Sequence, residues 1–188
     1  RIFEKSMKLT KKSDKHKLDI ALDALIKIGL IEYSNESKYS LNKLNNLIKC
    51  RIRCSSKGFC FAVRNDSQED IYIRDHHLNH AWHDDLVLVK LTKAPLKRRS
   101  PEGIVQCVLE RTNTSILSHL EMGENKLYAI PIDDRINGNI ELEAKDNKYL
   151  KDNSVNNLFE VRINTFPIAQ YSAKGEIVRK LSLNAGDK

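Results

Sequence analysis

The stretch Lys57-Gly58-Phe59-Cys60-Phe61-Ala62-Val63, followed after a polar turn by Ile71-Tyr72-Ile73-Arg74-Asp75, decides the fold. At the period of a β-strand, Phe59 and Phe61 share one face while Gly58, Cys60 and Ala62 share the other. The small residues suit a packed interior. Two aromatic rings are then left on the outer face, where the hydrophobic effect alone would not put them. Tyr72 and Arg74 alternate with Ile71 and Ile73 in the same way. An aromatic sheet face edged by Lys57, Arg64 and Arg74 suits unpaired bases, which stack on the rings while the cations meet phosphates. The competing reading is an ordinary amphipathic hairpin whose aromatics lie under a neighbouring domain.

Outward from this hairpin, the chain repeats itself. Val89 and Val161, Pro95 and Pro167, Ser100 and Ser172, and Gly103 and Gly175 all stand 72 positions apart, and the intervening positions align without a gap. Each copy reads strand, Pro-broken loop, Gly turn, strand, which is how the last two strands of a small closed barrel would look. The duplication predicts two barrels, residues 50–115 and 116–188. The first takes Cys50–Cys54, the two quoted strands, a His-rich connector and Leu86–Leu91. The second takes Ile116–Leu120, Lys126–Pro131, Ile140–Glu143 and Phe159–Ile163. Its outer face offers only Tyr128, near Arg135, so it reads as a scaffold or one wall of a channel. The loop cations Lys97, Arg98 and Arg99 of the first barrel have no counterpart in Ala169-Gln170-Tyr171. Beside a stacking face they would add phosphate contacts that fade with salt.

Residues 1–49 form a separate segment. Ser13 or Asp14 caps a helix whose apolar positions Leu18, Ala21, Leu22, Leu25 and Ile28 recur at helical spacing, with Gly29 just beyond its end. Leu30–Tyr33 and Lys38–Leu41 then read as a hairpin, and helix plus hairpin is the second half of a winged helix. Residues 1–12 read as the end of a truncated helix, and Lys43–Lys49 as a basic connector.

These words also resemble known ones. Lys57–Phe61 looks like the first RNA-binding motif of cold-shock domains, with Cys60 where those proteins usually have glycine, and Ile71–Arg74 looks like the second. Ala81-Trp82-His83-Asp84-Asp85-Leu86-Val87 and Ser100-Pro101-Glu102-Gly103 are more specific. Together they resemble the N-terminal part of the ribonuclease II/ribonuclease R family of 3′-to-5′ exoribonucleases. The resemblance implies a helix-turn-helix-like domain, two cold-shock-like barrels and single-stranded RNA as partner. It also implies a magnesium-dependent catalytic domain in the full-length protein, which would begin where the resemblance stops. Asp84 departs from the family's usual glycine, but Asp tolerates the left-handed conformation such a turn needs.

Composition narrows the classes. The chain has 32 Lys+Arg against 25 Asp+Glu, a net charge of +7. Residues 1–49 contribute +5, residues 50–115 contribute +3 and residues 116–188 contribute −1. The basic surface therefore belongs to the first two thirds, which points to an anionic partner there. Cys50, Cys54, Cys60 and Cys107 lack the paired spacing of zinc ribbons and are expected as reduced, half-buried thiols. The run from Asp75 to Asp85 holds four histidines, but His76 and His77 are adjacent and cannot both turn to one metal. His76, continuing off the second motif, is a better candidate for stacking or a phosphate contact.

No catalytic constellation is legible. Asp133-Asp134 point apart, and Glu102 sits in a turn without a positioned partner, so neither a catalytic nor a metal site is assigned. No run is apolar enough to span a membrane and no signal peptide opens the chain, so a cytoplasmic protein is expected. The absence of an initiator Met at Arg1 suggests a piece of a longer protein.

The expected architecture is mainly β with an α-helical N-terminal segment, a winged-helix-like unit followed by two tandem OB-fold barrels. The expected function is binding of single-stranded RNA and its guidance to the protein's own catalytic domain, through Lys57, Phe59, Phe61, Arg64, Tyr72, Arg74, His76, Lys97, Arg98 and Arg99. A stand-alone nucleic-acid-binding regulator and a partner-docking module are the alternatives, and no cofactor is expected within this chain.

Overall fold

A computed structural model describes residues 11–27, 29–34, 38–42, 47–66, 68–97, 99–152 and 157–182. The chain divides into two compact units, Arg1–Asn46 and Leu47–Lys188. In the first unit, helix α1 spans Lys12–Lys27 and buries Leu22. Gly29 ends it at φ 76°: its N–H donates to the Ile26 carbonyl and the Leu30 N–H to the Leu25 carbonyl, both at 2.9 Å. This pair of bonds satisfies carbonyls that the helix end leaves open. Strands β1 (Ile31–Tyr33) and β2 (Tyr39–Leu41) pair antiparallel with Ile31 opposite Leu41, the expected hairpin.

The second unit contains two closed five-stranded barrels. The first is built from β3 (Leu47–Cys54), β4 (Cys60–Arg64), β5 (Ile71–Ile73), β6 (Leu86–Lys93) and β7 (Glu102–Glu110), in the order β3-β4-β5-β7-β6. The second is built from β8 (Ser115–Met122), β9 (Leu127–Pro131), β10 (Ile140–Leu142), β11 (Asn157–Thr165) and β12 (Ala173–Ser182), with equivalent pairings. In each barrel the third and fifth strands pair parallel and every other neighbour pairs antiparallel. No helix among the described residues is long and apolar enough to cross a membrane.

The repeat holds at the level of single atoms. Val87 faces Val108 and Leu91 faces Gly103, while Phe159 faces Lys180 and Ile163 faces Gly175. The two Pro loops close with the same bridge, Leu96 to Arg99 and Ile168 to Tyr171. A Cβ on Gly103 would sit 2.7 Å from Val89 and 2.8 Å from Ile71, and one on Gly175 would sit 2.9 Å from Val161 and 3.1 Å from Ile140. Both glycines lie where the parallel pair meets the fourth strand, a close approach that leaves no room for a side chain.

Alternation along the strands fills the interiors. Cys50, Ile52, Ala62, Ile71, Ile73, Val87, Val89 and Val105 form one core, and Leu127, Ala129, Ile140, Phe159 and Val161 anchor the other. The cysteines depart from expectation: Cys54 and Cys60 form a disulfide instead of remaining thiols. They are direct cross-strand partners on the inner face of β3 and β4, so the closing hairpin brings their side chains together. Cys50 and Cys107 are free, and burial pushes the Cys50 thiol up to about 11.

Candidate nucleic-acid interface

One row of cross-strand neighbours crosses the outer face of the first barrel. Arg53 on β3 stands opposite Phe61 on β4, Phe61 opposite Tyr72 on β5, and Tyr72 beside Glu102 on β7. With Cys54, Cys60, Ala62, Ile71 and Ile73 turned into the core, the pleat leaves this row outside. The Phe61 and Tyr72 rings pack at 5.5 Å between centroids, tilted by 56°. Each half-buries the other, so they form a joint platform where the sequence predicts two free rings.

Phe59 is 54% exposed, as expected, but it arrives by a different route. β4 begins at Cys60, and Lys57, Gly58 and Phe59 belong to the turn before it. Gly58 takes φ 81°, and no atom lies within 4 Å of where its Cβ would be. The left-handed backbone, not lack of space, therefore calls for glycine. Ser55 fastens the turn: its N–H donates to the Phe59 carbonyl at 2.8 Å, and its Oγ accepts the Phe59 N–H at 3.2 Å. The turn holds the exposed ring at the edge of the platform.

The cations divide into two groups. Lys57, Lys97 and Arg99 are exposed and make no ion pair among the described residues. Arg98 lies outside the described residues. Lys97 and Arg99 ride on a loop docked beside the platform, because the Tyr72 N–H donates to the Pro101 carbonyl at 2.8 Å. The others are already engaged. The Arg64 guanidinium grips both oxygens of Asp66, with Nε at 2.8 Å from Oδ1, and only 9% of its side chain is accessible. Arg74 makes a fork on Glu102, 3.1 Å to Oε2 and 3.3 Å to Oε1, and Lys93 reaches the same Oε2 at 2.9 Å. Hydrogen bonds from Arg74 and then Lys93 hold the Glu102 carboxyl down to about 2, so it is ionised at neutral pH.

Two members of the interface, Arg53 and Lys93, escaped the sequence reading. Alternation along Cys50-Arg51-Ile52-Arg53-Cys54 carried the signal for Arg53, because inward cysteines put both arginines outside. Arg53 lies 3.0 Å from Asp84 as an ion pair. Lys93 had no local signal, since its role depends on Glu102 across the sheet. His76 leaves the face: a 3-10 turn over Asp75–His77 carries it off the end of β5. It is exposed and helps line a cleft of about 430 Å³ between the barrels, together with Tyr171.

The Ala81–Asp85 word welds the two barrels. Trp82 belongs to the first barrel by sequence, yet it is packed in the core of the second, 2% exposed, with Phe166 at 5.4 Å and its Nε1–H donating to the Asn137 carbonyl at 3.0 Å. Asp85 is fully buried and accepts the Trp82 N–H and the Arg111 guanidinium, each at 2.8 Å. Arg111 also lies over the Phe166 ring at 4.6 Å. Asp84 takes φ 68°, the left-handed turn expected of it. The His83 Nδ1 accepts the Cys54 N–H at 2.9 Å, and burial lowers the ring's pKa, making it a neutral structural acceptor.

Comparison with known proteins supports the barrel fold and its family. Residues 50–108 match the ribonuclease B OB domain, and residues 2–42 match the N-terminal domain of cyanobacterial RNase R. The acetazolamide conferring resistance protein zam of Synechocystis sp. is 40% identical over 169 residues, covering 89% of this chain and 21% of that protein. Yeast Ssd1, a pseudonuclease, superposes with a TM-score of 0.60 at 17% identity, over 86% of this chain and 24% of its own. Mycoplasma genitalium RNase R in complex with ribose methylated single-stranded RNA superposes with a TM-score of 0.59 at 15% identity, over 73% and 22%. The chain thus spans about a fifth to a quarter of each of these relatives. Tandem OB barrels behind an N-terminal helical unit define the class, the OB-domain region of a ribonuclease-type protein. The chain belongs to the ribonuclease II/ribonuclease R family and corresponds to its N-terminal part.

Proposed function

We propose that this chain binds single-stranded RNA on the outer face of its first barrel and passes the strand to the exoribonuclease domain of a longer, cytoplasmic protein. The observation that carries this reading is the Phe61–Tyr72 platform with Phe59 exposed at its edge and Arg53 in the same row. Bases stack on the rings whatever their sequence, and Lys57, Lys97, Arg98 and Arg99 meet the phosphates. That a related RNase R has been captured with single-stranded RNA supports the same partner. The second barrel serves as a support, fixed in direction by the Trp82 junction. The N-terminal unit is assigned the winged-helix-like role that the family resemblance implies. Hydrolysis and its magnesium belong to the catalytic domain and to no residue of this chain.

The test is a titration with labelled oligouridylate. Each stacked base is worth about 1–3 kcal/mol by alanine substitution, so Phe59→Ala with Tyr72→Ala is expected to weaken binding roughly ten- to several thousand-fold. The melting temperature should fall only slightly for Phe59, whose ring is outside the core. Tyr128→Ala on the second barrel is the matched control, expected to change affinity less than about two-fold, as for surface sites away from an interface. Unchanged affinity with a collapsed melting temperature in the double variant would show the rings to be core and end this reading.

A further inference from the structure

We propose that Arg74 and Lys93 form a binding site for one phosphodiester of the RNA strand, and that Glu102 occupies this site as an internal counter-anion until the phosphate displaces it. The inference rests on the RNA-binding reading above and adds a site to it. Two cations from different strands, Arg74 at the end of β5 and Lys93 at the end of β6, converge on one carboxylate. The three contacts, at 2.9, 3.1 and 3.3 Å, reproduce what a phosphate with two free oxygens would accept from an arginine fork and a lysine. The position is right as well. Glu102 is the cross-strand partner of Tyr72, so the site lies beside the ring on which a base stacks.

The cluster is built to exchange partners. The Arg74 and Lys93 side chains are 47% and 60% accessible, whereas Glu102 is 22% accessible. Exposed ion pairs of this kind are weakly held, so a competing anion can replace the carboxylate without unpacking the core. Two cations around one anion leave a residual positive charge, which still draws the strand in. A carboxylate already in place resists free phosphate. A phosphate tethered to a base stacked on Tyr72 arrives at high local concentration and competes. The second barrel places its paired carboxylates elsewhere: Lys174 stands at the position related to Glu102, and the acids held by two cations are Glu141, with Lys126 and Lys174, and Glu176, with Lys145 and Arg162.

The test uses the whole chain with labelled oligouridylate across a range of salt. Glu102→Gln keeps the shape and removes the competitor, so binding should tighten roughly three- to ten-fold while the salt slope, set by the same number of phosphate contacts, stays close to that of the parent chain. Adding Lys93→Met should abolish that gain. Lys93→Met alone should flatten the slope by about 0.7, the share of one phosphate contact on a single strand, which decides the matter if Glu102→Gln fails to fold. Glu102→Gln with unchanged or weaker affinity overturns the site, while sensitivity of the parent chain to Phe59→Ala and Tyr72→Ala preserves the broader reading. No binding by the parent chain or by Glu102→Gln overturns both.

Discussion

The two barrels share a backbone and differ in one row of side chains. Across the first runs Arg53, Phe61, Tyr72, Glu102, and across the second, at the equivalent register, runs Glu121, Tyr128, Glu141, Lys174. The cation at the start of the row has become an acid, and one ring of the pair has become a carboxylate. Glu141 is drawn to Lys126 at 2.8 Å and, more loosely, to Lys174, so the middle of that face is an ion-pair cluster. The interiors tell the opposite story, with Val89 and Gly103 answered by Val161 and Gly175 in the same contacts. Duplication preserved what closes a barrel and let the outer face drift, which is why fold alone does not assign binding to both copies.

The largest expected effect tests where the comparison stops applying. At Trp82 the barrels are not separate, because a side chain of the first fills the core of the second. Trp82→Ala should cost about 3–5 kcal/mol in denaturant unfolding, the usual range for emptying a buried aromatic site. A loss below about 1 kcal/mol would mean that the barrels are stable without the weld and can be compared as independent domains.

A smaller effect sharpens the contrast between the two Pro loops. Lys97→Met with Arg99→Met should lower affinity for all sequences alike and flatten the salt slope by about 1.4, two contacts at about 0.7 each. The same slope in the variant and the parent would leave both loop tips equivalent and solvated. The smallest effect is a titration. Glu102 is held from the ordinary 4.5 down to about 2 by Arg74 and Lys93, so the stabilisation its ionised form provides is fully present above pH 4.5 and is lost as pH falls through about 2. Carboxyl carbon shifts followed by NMR should give a Glu102 midpoint near 2. A midpoint near 4.5 would mean that Arg74 and Lys93 do not hold the Glu102 carboxylate.

Local sequence determined much of this protein. Strand alternation separated Cys60 and Ala62 from Phe61, and the 72-residue repeat predicted that the closing strands of each barrel pair with each other. Gly29 and Asp84 announced turns because a positive φ restricts which residues can stand there, whereas Gly58, read as a strand position, stands in the turn before β4. These are properties of one segment or of one segment compared with another, and period and chemistry suffice to read them. Tertiary structure decided what depends on partners distant in the chain. Whether a cation is free or engaged could not be read at Arg64, Arg74 or Lys93, because each answer lies in a carboxylate that the fold brings up. The role of Ala81–Asp85 was equally hidden: the word was recognisable, but its tryptophan fills the core of the next barrel and its aspartate meets Arg111 only after both barrels close. The Cys54–Cys60 bond came from the same source, since the two side chains, six positions apart, come together only when the hairpin registers them as neighbours. Charge pairing and burial are pairwise quantities, and pairs are chosen by the fold.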